Sequence, residues 1–125
     1  MLTFHFNKLV RDKIINHQIR DGIKPNYVRL DKDEHKLALI EKIKEELKEV
    51  EEASHETLAG EIADVQQAID DLVAVCNLTP DVIKNHQIAK EEKNGSFKQG
   101  IYINTVDIEE DNDWAKLYRQ KYEQD

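Results

Sequence analysis

Two stretches of three-and-four apolar spacing dominate this chain, and only a few residues separate them. From an N-cap at Asp33 to about Ala53, the residues Ile40, Ile43, Leu47 and Val50 recur on one side of a helix. From about Glu56 to Cys76, the residues Leu58, Ile62, Val65, Ile69, Leu72 and Cys76 do the same. The pattern breaks at Ser54 and His55. Two long amphipathic helices with so short a connection are expected to close as an antiparallel hairpin, each stripe burying the other.

The flanks read as smaller elements around that hairpin. Asn7 to Asp21 predicts a first helix with Gly22 as its stop signal. Thr79 offers a capping hydroxyl and Pro80 a first helical position, which starts a fourth helix ending at Asn94 and Gly95. Asp113 to Gln124 predicts a short C-terminal helix through Trp114, Leu117 and Tyr118. Tyr27 to Leu30 alternates, and Gly100 to Val106 is rich in β-formers, so the two are expected to pair as a small β ribbon. The expected fold is all-α: one domain over 1–125, with the hairpin as core of a four-helix arrangement.

Composition limits what such a chain can do. Its apolar content is 39%, below the globular average of about 45–50%, so a lone copy has a thin core. This favours a homo-oligomer, dimer or tetramer, in which the helices finish burying their apolar faces. A net charge of −8, from 26 acidic and 18 basic residues, argues against a nucleic-acid polymer as partner, because such binding rests on a basic footprint. One cysteine excludes an intrachain disulfide, and Cys76 reads as a core thiol. No run approaches the roughly 18–20 apolar residues of a membrane span. Met1 to Phe6 carries no signal-peptide pattern, and the cytoplasm is the expected compartment. The five histidines make no zinc-binding spacing.

The chemistry lies in the acidic residues of the hairpin. The second helix contains Glu45-Glu46-Leu47-Lys48-Glu49 and the third Glu61-Ile62-Ala63-Asp64. Carboxylates three apart share one helix face. A turn centred on residue 55 sets Glu46 level with Asp64 and Glu49 level with Glu61. A helical wheel puts Glu46 and Glu61 at the edge of the core, with Glu49 and Asp64 further out. Two carboxylates about 4 Å apart repel by about 4 kcal/mol at an effective dielectric near 20. A converging set therefore needs protonation, dispersal into solvent or a cation. All-oxygen ligation selects a hard ion, Mg²⁺ or Mn²⁺ in its place. The alternative is a plain solvated helix face, which is the better reading for Glu45, Lys48, Glu51, Glu52, Asp70 and Asp71.

At these residues the chain resembles the all-α nucleotide pyrophosphohydrolase superfamily, the MazG-like and phosphoribosyl-ATP pyrophosphohydrolase-like proteins. Their motif, Glu-Glu-x-x-Glu followed by Glu-x-x-Asp, is matched by Glu45 to Glu49 and Glu61 to Asp64. Asn7-Lys8-Leu9-Val10-Arg11-Asp12-Lys13-Ile14, Lys90 to Phe97, and Gly100-Ile101-Tyr102 resemble blocks of a small single-domain house-cleaning subgroup. The likeness spans about residues 4–103. It departs at Ser96, where relatives often have glycine, and at Asn94, where some have arginine.

The resemblance implies Mg²⁺-dependent hydrolysis of non-standard or excess nucleoside triphosphates to monophosphate and pyrophosphate. It makes Glu46, Glu49, Glu61 and Asp64 the metal ligands and catalytic carboxylates, with Lys90 and Lys93 as phosphate contacts or simply solvated lysines. Lys8, Arg11 and Lys13 are open between phosphate contact and pairing with the acidic helices. Phe97 and Tyr102 are candidates for a base pocket. The alternatives are phosphoribosyl-ATP hydrolysis, a catalytically silent nucleotide-binding regulatory module, and a helical assembly protein whose acidic faces only keep it in solution.

Overall fold

The computed structural model describes residues 1–125. Its regular elements are five helices: α1 (Ile14–Arg20), α2 (Lys32–Glu52), α3 (His55–Val75), α4 (Pro80–Asn94) and α5 (Trp114–Lys121). The chain divides into two units, Met1–Ala89 and Lys90–Asp125. No helix is long and apolar enough to cross a membrane.

In the first unit, α2 starts on a reciprocal cap. The Asp31 carboxylate accepts from the Glu34 backbone N–H at 2.9 Å, and the Glu34 carboxylate accepts from the Asp31 N–H at 3.3 Å. The Glu34 backbone bond, first among its surroundings, holds the Asp31 carboxyl below the ordinary aspartate value. Asp31, not Asp33, is therefore the N-cap. Only Asp31 has a glutamate three residues on to close the box; Asp33 has Lys36 there.

α2 ends at Glu52, and α3 begins at His55 after only Ala53 and Ser54. These two helices pack along their length, and no other pair of helices forms a comparable interface. The packed ridge of α3 runs through Leu58, Glu61, Val65, Ala68 and Leu72, none of them exposed. That of α2 runs through His35, Leu39, Lys42, Ile43, Glu46 and Val50. This differs from the sequence stripe: Leu47 and Ile62 are each 51% exposed, while Leu39 is 4% exposed and Ala68 is also buried. Burying a leucine is worth about 1.5–3 kcal/mol, so Leu39 carries much of a small core.

α1 is shorter than the Asn7–Asp21 expectation. Residues 7–13 lie outside it, and Asn7 adopts positive φ. Its end does follow the glycine signal: Gly22 takes φ +82°, and the Ile23 N–H bonds the Gln18 carbonyl at 2.9 Å. α4 opens as expected, with the Thr79 hydroxyl accepting from the Val82 N–H at 3.2 Å and Pro80 as its first residue. No residue of α1 or α4 is buried, so the chain's own hairpin is not completed into four packed helices.

The β ribbon is absent: neither Tyr27 to Leu30 nor Gly100 to Val106 forms a strand. β-formers need a half-covered pleated surface to pack on, and two isolated strands are marginal at best. Tyr27 and Val28 in one unit, and Ile101, Tyr102 and Ile103 in the other, are instead exposed. In the second unit, α5 buries Ala115, and Trp114, Tyr118 and the C-cap residue Tyr122 follow one turn apart, with neighbouring ring centroids 5.8 Å apart in a tilted and an edge-to-face contact.

Candidate metal centre

Three carboxylates of the hairpin converge. Oxygens of Glu46 on α2 and of Glu61 and Asp64 on α3 all lie within 4.8 Å of one another, and each residue is half-buried. Glu46 reaches this position because it lies on the packed ridge of α2, with its side chain only 13% exposed. Glu61 lies on the ridge of α3. Asp64 sits beside that ridge, about 80° round the helix at 100° per residue. It is nearer the interface than a wheel centred on Ile62 and Ile69 suggests.

Glu49, the fourth expected ligand, stands outside this group and is exposed. The reason is register. The turn falls at Ala53 and Ser54 rather than at residue 55, which brings Glu46 opposite Glu61 and leaves Glu49 about one turn nearer the connection. Its charge still reaches Glu61.

The electrostatics of the cluster show its cost. Burial first, then the charges of Asp64, Glu49 and Glu46, raises the Glu61 carboxyl above the ordinary glutamate value. The cations present are arranged around the rim. Lys42, 20% exposed, sets its Nζ 3.3 Å from Glu46 and 3.3 Å from Glu45. Lys8 reaches Glu45 at 3.1 Å, and the Arg11 guanidinium donates to Asp64 at 2.7 Å. Burial alone would raise the Glu45 carboxyl, but Lys8 and Lys42 outweigh it and hold that group below its usual value. No cation touches Glu61.

The donor set fits a hard divalent ion. It is three carboxylates from rigid helices, with no nitrogen or sulfur. Lys42 has a local sequence signal that the acidic motif obscured: it precedes Glu45 by three residues and Glu46 by four. The Arg11 contact joins residues 53 apart and has no local signal.

Other expected positions are placed as follows. Lys90 and Lys93 are exposed on α4 and form no ion pair. Phe97 and Tyr102 are exposed in the second unit. Asp70 and Asp71 accept from Gln66 and Gln67 one turn back, at 2.8 and 3.2 Å. Cys76 is half-buried. Compared with family models, curated proteins and solved structures, the chain matches none.

Proposed function

We propose that this chain is a Mg²⁺-dependent nucleotide pyrophosphohydrolase whose metal ligands are Glu46, Glu61 and Asp64. The observation that carries the reading is their convergence within 4.8 Å at the packed face of one hairpin, with Glu61 uncompensated among like charges. The block resemblance around residues 4–103 supplies the reaction: water adds across the bond between the α and β phosphates, releasing monophosphate and pyrophosphate. When bound, Mg²⁺ or Mn²⁺ would neutralise phosphate charge and acidify a water.

The chain's own residues do the rest. α2 and α3 hold the ligands on rigid helices, Lys42 fixes the Glu46 carboxylate, and Glu49 adds negative potential from just outside. A homo-oligomer belongs to this proposal. Leu47 on α2 and Ile62 and Ile69 on α3 are the apolar residues that a second copy would cover.

The test is pyrophosphate release with Mg²⁺ over a panel of standard, deoxy, oxidised and methylated triphosphates and phosphoribosyl-ATP. Metal-dependent release that is lost in Glu61→Gln is expected. Nucleotide-induced stabilisation without release would mean a silent binding module. No release and no effect of Mg²⁺ on the melting temperature would remove the metal site.

A further inference from the structure

The segment before α1 carries two cations three residues apart, and each lands on a different helix of the hairpin. Lys8 holds Glu45 of α2 at 3.1 Å, and Arg11 holds Asp64 of α3 at 2.7 Å. Residues 7–13 precede the first helix, and the Arg11 carbonyl accepts from the Ile14 N–H at 3.0 Å, so the backbone is anchored at the foot of α1 and only the Arg11 side chain has to move. Arg11 is bound to one of the three residues a divalent ion would need, and water reaches both side chains of that pair, which are 58% and 40% exposed.

An exposed ion pair is a weak hold, because water screens it and two side chains must be ordered to make it. A divalent ion brings twice the charge to the same carboxylate and two others besides. The guanidinium cannot lose its proton, and its planar fork matches phosphate as well as carboxylate. A displaced Arg11 would then be a free, permanent cation on a short tether beside the ion.

We propose that Arg11 is an exchangeable counter-ion: it occupies Asp64 in the cation-free chain and passes to the substrate's phosphate oxygens when a divalent ion takes that carboxylate. The inference rests on the metal reading above and adds regulation of the same site. Arg11 competes with the cation and cooperates with the polyphosphate, so removing it has opposite effects on the two ligands.

Calorimetric titration of the full chain with Mn²⁺ alone, then of the Mn²⁺-saturated chain with inorganic tripolyphosphate, tests this. In Arg11→Gln, Mn²⁺ binds about threefold tighter, as expected for loss of an exposed competing pair. Tripolyphosphate binds about tenfold weaker, as expected for loss of a charged hydrogen bond. Arg11→Lys keeps the charge but not the fork, so it leaves Mn²⁺ affinity near the wild type and still weakens tripolyphosphate; it also serves if the glutamine variant misfolds. Unchanged or weaker Mn²⁺ binding in Arg11→Gln, with wild-type binding that needs Glu61, overturns the exchange and spares the site. Wild-type Mn²⁺ binding that is absent or indifferent to Glu61→Gln overturns both.

Discussion

Lys42 and Glu46 lie one helical turn apart, with Nζ and Oε1 separated by 3.3 Å, and form the least exposed ion pair of the chain. Both sit on the packed ridge of α2, so each is the other's replacement for water. Lys42→Met leaves Glu46 half-buried beside Glu61 and Asp64 without its cation. It should cost roughly 1–2 kcal/mol in urea denaturation. The double variant Lys42→Met/Glu46→Leu should recover most of that loss, because an apolar pair needs no compensation. If the double variant is the less stable, the ridge depends on the ion pair itself.

Glu61 adds a pH-dependent contribution on the acid side of the stability profile, opposite in sign to those of Asp31 and Glu45. Its carboxyl is raised above 4.5 by burial, then by Asp64, Glu49 and Glu46. The folded chain thus holds this proton more tightly than the unfolded one. The associated stability is full below about 4.5 and is lost as pH rises through the folded value. In chelator, Glu61→Gln should melt above the wild type at about pH 7 and converge with it at about pH 4. A gap of constant size across that range would assign the effect to packing instead of charge.

Leu39 is the one large side chain that the hairpin buries, at 4% exposure. Leu39→Ala should cost about 2–4 kcal/mol, enough to leave a marginal domain largely unfolded. Leu47→Ala should cost under about 1 kcal/mol in a dilute monomer. A cost for Leu47→Ala that grows with protein concentration would reveal a second copy seated on that face.

The geometry ranks the four motif carboxylates. A cation present at about 100 times its dissociation constant should add about 2.7 kcal/mol of stability. Glu46→Gln, Glu61→Gln and Asp64→Asn should each abolish that gain. Glu49→Gln should keep most of it, losing no more than about threefold in affinity, because Glu49 contributes only its field. Thermal melts with and without Mn²⁺ separate these outcomes, and equal loss in all four would restore Glu49 as a ligand.

The helices of this chain were legible from residue spacing and punctuation, and their faces were not. Thr79-Pro80 and Gly22 marked ends that the backbone respects, because capping bonds and positive φ are decided by the residues present. The buried ridge escaped because exposed Leu47, Ile62 and Ile69 look as apolar as buried Leu39, while Ala68 contributes almost no signal. A ridge that includes Lys42, Glu46 and Glu61 also runs against a purely hydrophobic reading. Three of the four acidic positions converge, with Glu46 opposite Glu61 instead of level with Asp64. The fourth was lost to a shift in the turn of between one and two residues, a scale at which helix ends are hard to fix from sequence. The ribbon failed because strand preference is a statement about neighbours, and neither segment has them.

The two-residue link between α2 and α3 also governs the order of events in time. Contacts this close along the chain form in microseconds to milliseconds. On the ribosome, the hairpin can zip together as soon as α3 has left the exit tunnel, while residues 90–125 are still being threaded or made. The amino-terminal arm emerges earlier than either rod, so Arg11 is at hand when Asp64 first meets its acidic neighbours. The nascent hairpin therefore carries its own neutraliser from the moment its acidic residues come together.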